Sequence, residues 1–327
     1  MKQNIKSILI LNTGGGIGDA IQYLKLFKII NKEFKSVQIH YYSTIPNFLF
    51  ENKLKSLKPY NLVEVKNFPP HFGFRLKDIL LKKNKFKKKF DLIIDAQTRV
   101  KNTIVYRTIP HQIFISFSAR GILSSPPRFV KKEKHIQIRF IKFLENFLKK
   151  KIKYKNIKIG IKKKYENEAS RLISTNKKYI GFSIKAGNLK RIKEFNINEI
   201  IKTAIYFKKK KFIPTFFLEK KFKKIINKIN KKIPEAYYPE HKAKIELQDP
   251  SLVIALGKKM EFNITIDNGV MHMLGLSEKK LFCFFNKDSD KFKPLSNNTF
   301  VYDCKKQGKV INFLKSKEII QFINNYI

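Results

Sequence analysis

"ILILNTGGGIGDAIQYLKLFKII", residues 8–30, decides how this chain is read. A short apolar run, Ile8–Leu11, ends in a glycine-rich bend. An aspartate then opens a helical pattern in which Tyr23, Leu26, Phe27, Ile30 and Phe34 recur at the spacing of one helix face. Strand, flexible turn and amphipathic helix together make the first half of a β-α-β unit. The bend matches neither common phosphate signature. Gly14, Gly16 and Asp19 break the G-x-G-x-x-G spacing at its third glycine, and no G-K-[ST] follows. Two readings stay open for Asp19. In one it caps the helix, satisfying orphan amides and complementing the dipole. In the other it stands at the mouth of a cleft, kept clear by glycines, and takes a proton from an incoming hydroxyl.

The same alternation continues outward from this stretch. "VQIHYYS" (37–43) and "FDLIIDAQT" (90–98) read as further strands, the second apolar over Leu92–Ile94 as in a parallel strand buried on both faces. From Lys150 to Tyr165 the sequence turns into the lysine-rich "KKIKYKNIKIGIKKKY", which predicts a domain boundary. The pattern restarts with "YIGFSI" (179–184) and a helix striped by Ile197, Ile200, Ile201, Ala204 and Ile205. "FIPTFFL", "FNITI" and "LFCFF" supply more strands. Phe222, Ile225, Ile226 and Ile229 stripe another helix, and Ile319, Ile320, Phe322, Ile323 and Tyr326 mark a closing one. The expected class is α/β: a Rossmann-like domain over 1–160, a second over 161–315 and a closing helix over 316–327. A ligand cleft is expected at the carboxyl ends of the strands.

Composition narrows the setting. The 327 residues hold enough apolar side chains for two cores, and no apolar run approaches the ~20 residues of a membrane span. The apolar start is too short for an export signal of roughly 7–15 residues. Two cysteines, Cys283 and Cys304, without metal-ligand spacing fit a reduced cytoplasm. The net charge of +45, from 70 Lys+Arg against 25 Asp+Glu, has two readings. One is an anionic partner: nucleic acid, anionic lipid or a phosphorylated substrate. The other is compositional drift, since lysine far outnumbers arginine and spreads along the whole length.

Two later motifs carry chemistry. In "ITIDNGVMHMLGL" (264–276) a buried strand ends at Asp267, Asn268 and Gly269, and a helix bearing His272 follows. Gly269 would let a phosphate approach, and His272 lies one turn in. An N-cap role for Asp267 and a packed histidine at 272 are the plainer alternatives. In "SIKAGNLKRIKEFNINEI" (183–200), Lys190 and Arg191 follow a strand and a Gly-Asn turn, where two cations suit a departing diphosphate.

Taken in order, these motifs resemble glycosyltransferase family 9, which includes the ADP-heptose:lipopolysaccharide heptosyltransferases. "LNTGGGIGDAI" resembles the family's opening, with Asp19 at its aspartate. "FDLIIDAQTRVKNTIVYR" is similar to its Tyr-Asp-Leu-x-Ile-Asp-x-Gln segment, with Asp95 and Gln97 matching. "AGNLKRIKEFNINEI" is similar to Gly-x-x-x-Lys-Arg-Trp-Pro, and "IDNGVMHMLGL" to Asn-Asp-Ser-Gly-Pro-Met-His-Leu-Ala-Ala. The resemblance implies a GT-B fold, two doubly wound Rossmann-like domains with a cleft between them, and inverting, metal-independent transfer with no cofactor. It implies Asp19 as general base, with Gly18, Asp95 and Gln97 on the acceptor side. Lys190, Arg191, Asp267, Asn268, Gly269 and His272 fall on the donor side, and Glu219 at the donor ribose. The implied donor is a nucleotide sugar, ADP-heptose above all. The implied acceptor is an anionic saccharide or glycolipid of the cell envelope, reached from the cytoplasm at the inner-membrane surface, with no nucleic acid partner.

Departures from the pattern are Ile192 and Lys193 for Trp-Pro, Ser277–Lys280 for Gly-x-Pro, and Phe292-Lys293-Pro294 for Trp-Gly-Pro. Asp288-Ser289-Asp290 mimics a D-x-D metal motif, but no supporting carboxylate or histidine cluster accompanies it. The alternatives are a transferase for another nucleotide sugar, a basic nucleic-acid-binding protein, and an inactive scaffold at a membrane surface.

Overall fold

The computed structural model describes residues 4–12, 16–43, 47–51, 53–65, 88–96, 99–127, 133–186 and 194–327. The chain divides into two compact units, Met1–Ile157 and Lys158–Ile327. The division lies within the lysine-rich stretch, where little amphipathic pattern exists to build a core.

In the first unit, β1 (Ser7–Asn12), β2 (Gln38–Ser43), β3 (Leu62–Glu64), β4 (Phe90–Asp95) and β5 (His111–Ser116) form one parallel sheet, ordered β3-β2-β1-β4-β5. Every residue of β1 is buried, which is why the strand is a continuous apolar run rather than an alternating one. The helix α1 (Ile17–Glu33) buries Ala20, Ile21, Tyr23, Leu24, Leu26, Phe27, Ile29 and Ile30. Each fully buried large side chain of this kind contributes about 1.5–3 kcal/mol. Phe27 meets Tyr41 of β2 edge to face at 5.3 Å, fixing the helix on the sheet. α2 (Val100–Tyr106) follows β4, and α3 (Ile136–Leu148) packs on α1. Gln137 reaches across from α3 to donate to the Gln22 carbonyl.

The second unit repeats the plan. β6 (Lys178–Ser183), β7 (Phe212–Phe216), β8 (Phe262–Ile266), β9 (Lys280–Phe285) and β10 (Thr299–Asp303) form a parallel sheet ordered β10-β9-β8-β6-β7. α4 (Lys163–Leu172) packs on α8 (Pro250–Lys259). α5 (Ile197–Lys209) packs on β7 and on α11 (Ser316–Asn324). Phe182 and Phe216 stack at 5.1 Å in a core built largely of phenylalanine and isoleucine. The closing helix α11 buries Ile319 and Ile323 in this core, and its Asn324 donates to the Tyr206 hydroxyl at 2.9 Å.

In each sheet the strand order reverses next to the unit's first strand, between β1 and β4 and between β6 and β8. Neighbouring loops leave in opposite directions at such a point and open a crevice at the carboxyl ends of the strands. The sequence motifs sit at these two places.

Candidate active site

At the first reversal point, Leu11 of β1 pairs with Asp95 of β4, and the Ala96 amide donates to the Leu11 carbonyl at 3.2 Å. Asp19 lies in the first turn of α1, half-buried beside Gly18. Gly16, not Asp19, is the N-cap. Asp19 reaches back from the third helical position, and its Oδ2 accepts the Gly16 N–H at 3.1 Å. A Cβ at position 16 would come within 2.8 Å of that oxygen, so glycine is what lets the carboxylate fold over the turn. The capping reading of Asp19 therefore holds: its carboxylate takes up the amide of the N-cap residue.

Asp95 is fully buried. Its Oδ2 accepts the Thr103 hydroxyl at 2.5 Å and the Ser116 hydroxyl at 2.9 Å. Thr103 also meets the Ser118 hydroxyl at 2.6 Å. Asp95 thus ties β4, α2, β5 and the 118–121 turn into one polar knot. The buried Tyr23 phenol has its pKa raised by burial first, then by its neighbours Tyr41, Asp19 and Asp95. Both carboxylates therefore act on one buried hydroxyl, and Asp19, Gly18 and Asp95 share one corner of the first unit. Gln97 lies outside the described residues.

At the second reversal point, Ser183 of β6 pairs with Thr265 of β8. The helix α9 (Gly269–Leu274) starts here, and its N-cap is Asn268 rather than Asp267. Asn268 Oδ1 accepts the Met271 amide at 2.9 Å, while Nδ2 donates to Ser183 Oγ at 3.0 Å and to the Lys185 carbonyl at 3.2 Å. One side chain thus pins the start of α9 to the end of β6. Asp267 and Gly269 are half-buried at this corner, and His272 is buried one turn on. Lys190 and Arg191 lie outside the described residues, as do Ile192 and Lys193. Among the described residues on either side of them, Phe195 N–H donates to the Ile184 carbonyl at 3.3 Å, and Lys185 forms an ion pair with Glu194. Beside this pair opens a cavity of about 330 Å³, lined by Ile184, Lys185, Glu194, Phe195 and Asn196 among others.

Asn268→Ala is expected to destabilise the second unit by about 2–3 kcal/mol, a helix cap plus two crossing hydrogen bonds. Chemical denaturation followed by far-UV circular dichroism reads it. A loss below about 0.5 kcal/mol would show that the tie carries no load.

Glu219 follows β7 on the outer side of the same sheet, exposed and paired with Lys221 at 2.7 Å. It stands apart from the Asp267–His272 turn by the width of β6, because β7 neighbours β6 and β6 neighbours β8. The structure adds Glu240, on α7 (Pro239–Lys242), which sequence reasoning missed. His241 Nε2 donates to the Leu218 carbonyl at 2.7 Å, and its ring stacks on Tyr238. This brings Glu240 beside Glu219. Burial, and then the charge of Glu219, push the Glu240 carboxyl up to about 7. No spacing in the sequence signals this neighbour.

The raised value fixes the sign of a pH effect. Between an unfolded value near 4.5 and about 7, the folded chain keeps a proton that the unfolded chain has released. Stability therefore falls as pH rises through that window. Glu240→Gln is expected to stabilise the second unit by about 1–2 kcal/mol more at pH 8 than at pH 5, the figure reduced for its partly exposed position. Thermal melts at the two pH values test this, and an equal shift at both would refute it.

The D-x-D look-alike is occupied by structural duties. Asp288 caps a short turn by accepting the Asp290 amide at 3.1 Å, and Asp290 pairs with Lys293 and Lys306. Among the described residues, no three His, Cys, Asp or Glu side chains gather where they could hold a metal ion. Of the departures from the family pattern, Pro294 is retained and buried, and a Cβ on Gly275 would come within 2.5 Å of it. That proline backs the end of α9. Ser277 ends the same helix by donating to the Leu274 carbonyl at 2.6 Å.

Known proteins share this architecture. The chain superposes on a family 9 glycosyl transferase from Veillonella parvula with a TM-score of 0.68 at 15% identity, covering 99% of this chain and 98% of that one. The Escherichia coli heptosyltransferase WaaC, solved with ADP, gives 0.67 at 12% identity over 98% and 99% of the two chains. The E. coli ADP-heptose lps heptosyltransferase II gives 0.64 at 14% identity over 98% of each. These likenesses establish the GT-B fold. No curated protein sequence matches the chain. Residues 80–318 match the model of glycosyltransferase family 9 (heptosyltransferase), and on that match the chain belongs to family 9 and is a glycosyltransferase.

Proposed function

We propose that this protein transfers a heptose from ADP-heptose to a saccharide of the cell envelope, such as the lipopolysaccharide core, with inversion at the anomeric carbon. The observation that carries the reading is Asp19, a half-buried carboxylate held by the Gly16 amide at the reversal point of the first sheet. The WaaC structures contain ADP and ADP-2-deoxy-2-fluoro heptose, which supports the same donor class here.

In this mechanism Asp19 removes the proton of the acceptor hydroxyl as its oxygen bonds to the anomeric carbon. The bond from that carbon to the diphosphate breaks, and the diphosphate leaves with the electron pair. Lys190, with Arg191, offsets its growing charge. Asp267, Gly269 and His272 hold the donor, and Asn268 keeps their turn in register with β6. Glu219 takes the donor ribose. Gly18 and Gln97 serve the acceptor, and Asp95 acts through the hydroxyls it gathers. No step is assigned to a metal ion or cofactor. The enzyme works from the cytoplasm at the inner-membrane surface, where its lysines favour anionic lipid by about 1 kcal/mol per residue near the surface.

The test is turnover, detected by mass, across ADP-, UDP- and GDP-sugars with an envelope saccharide acceptor and with Asp19→Ala as control. Consumption of ADP-heptose by the parent chain alone supports the reading. Consumption of a UDP- or GDP-sugar instead would reassign the donor. Steeply salt-dependent duplex binding with no response to any nucleotide sugar would replace the reading with a nucleic-acid one.

A further inference from the structure

Arginine is scarce in this chain: 62 of the 70 basic residues are lysine and eight are arginine. Four of those eight, Arg99, Arg107, Arg120 and Arg128, fall within thirty residues, inside a stretch (96–132) that contains no Asp or Glu. Drift toward lysine does not explain a local reserve of the side chain that pairs with phosphate through two parallel N–H bonds. Arg128 lies outside the described residues, but the other three can be placed.

On α2, Asn102, Thr103, Val105 and Tyr106 face the core, which leaves Val100, Lys101, Ile104 and Arg107 on the outer stripe with Arg99 just ahead. Val100 is 44% exposed and Ile104 38%. The 118–121 turn packs beside this helix, joined through the Thr103–Ser118 hydroxyl contact, and Ile122 just after it is 62% exposed. Ala119 and Arg120 both take left-handed backbone angles, φ 45° and 54°, a conformation uncommon for residues other than glycine. Both are exposed. The outer stripe of α2 and the exposed Ala119, Arg120 and Ile122, which follow β4 and β5 and lie next to each other, thus present a surface of branched aliphatic and basic side chains.

We propose that this face is a membrane-docking surface. Val100, Ile104 and Ile122 enter the headgroup layer of an anionic bilayer while Arg99, Lys101, Arg107 and Arg120 pair with lipid phosphates. Charge complementarity chooses the occupant. The aliphatic positions separate an interfacial site from a purely electrostatic one, because a nucleic acid would need only the cations. The inference deepens the membrane part of the proposed function. It is tested without donor or acceptor, so its failure leaves the transfer reading standing.

The chain has no tryptophan, so Ile122→Trp supplies a sole reporter. Its emission is expected to shift to the blue on vesicles of phosphatidylglycerol and phosphatidylethanolamine, and to be quenched by brominated acyl chains. Tyr60→Trp is the control. Tyr60 is 95% exposed and precedes β3 at the opposite edge of the same sheet, and its emission should not move. The triple variant Val100→Ser, Ile104→Ser, Ile122→Ser keeps every charge and is expected to sediment with these vesicles about tenfold less well. Arg107→Gln with Arg120→Gln should weaken binding about tenfold at low salt. Unshifted Ile122→Trp emission on vesicles that the protein does bind would overturn the proposal. So would full binding by the serine variant, or duplex RNA binding with no vesicle binding by the parent chain. Circular dichroism melts confirm that each variant is folded.

Discussion

Asp19→Asn is expected to lower the turnover number for sugar transfer by about a thousandfold or more while donor affinity stays within about twofold. The substitution is nearly isosteric, and the asparagine oxygen can still accept the Gly16 amide that now holds the carboxylate. The helix start and the packing of α1 should therefore survive. In the proposed mechanism, what disappears is the ability to take a proton from the acceptor hydroxyl. General-base catalysis contributes about 10²–10⁴-fold, and the deprotonated acceptor has no second route in this mechanism. Turnover under saturating donor, paired with a direct measurement of nucleotide-sugar binding, separates the two quantities. A folded variant that no longer binds donor would remove base duty from Asp19. A variant that transfers at the parental rate would remove Asp19 from the mechanism altogether.

Asp95→Ala is expected to destabilise the first unit by about 3–5 kcal/mol, enough to unfold it at moderate temperature. The carboxylate is fully buried and accepts hydroxyls from two elements, and its loss leaves Thr103 and Ser116 turned toward a cavity. Asp95→Asn keeps the volume and one acceptor, so a smaller cost of about 1–2 kcal/mol is expected. Urea denaturation of both variants gives the comparison. Transfer should fall with stability in the alanine variant, because the knot sets β4 and α2 beside the Asp19 turn. A cost below about 1 kcal/mol for alanine would mean that the knot does not hold this rim together.

Together these two substitutions test whether Asp19 acts on the substrate, as proposed, while Asp95 only positions its surroundings. Both aspartates match the family's motifs, and the resemblance puts Asp19 at the base position and Asp95 on the acceptor side. Burial separates their surroundings, and it leaves Asp95 no surface to offer an acceptor. Asp19 is half-buried at the start of a helix, whereas Asp95 has no exposed surface and spends its oxygen on hydroxyls.

Much of the fold was legible in the sequence because its signals are short-range. The apolar run at Ile8–Leu11, the stripe from Tyr23 to Phe34 and the lysine-rich stretch after Lys150 each need only neighbouring residues to be read. So do the glycines around Asp19 and the Asp267–His272 turn. The helix caps were the exception. Asp267 suited an N-cap by residue type, but the backbone enters α9 one residue later and Asn268 takes that position. The cap is decided by where β8 stops, and β8 stops where its partners in the sheet do.

Tertiary structure alone decided who meets whom. Asn268 finds Ser183 across 85 residues, Asp95 finds Ser116 across 21, and Glu240 comes beside Glu219 only because His241 reaches the end of β7. It also decided that the aliphatic side chains of Val100, Ile104 and Ile122 are exposed. The physical reason is the same throughout. Periodicity and turn chemistry act along the chain and are written in it, whereas the partner of a buried polar group or an exposed aliphatic depends on which strands lie side by side.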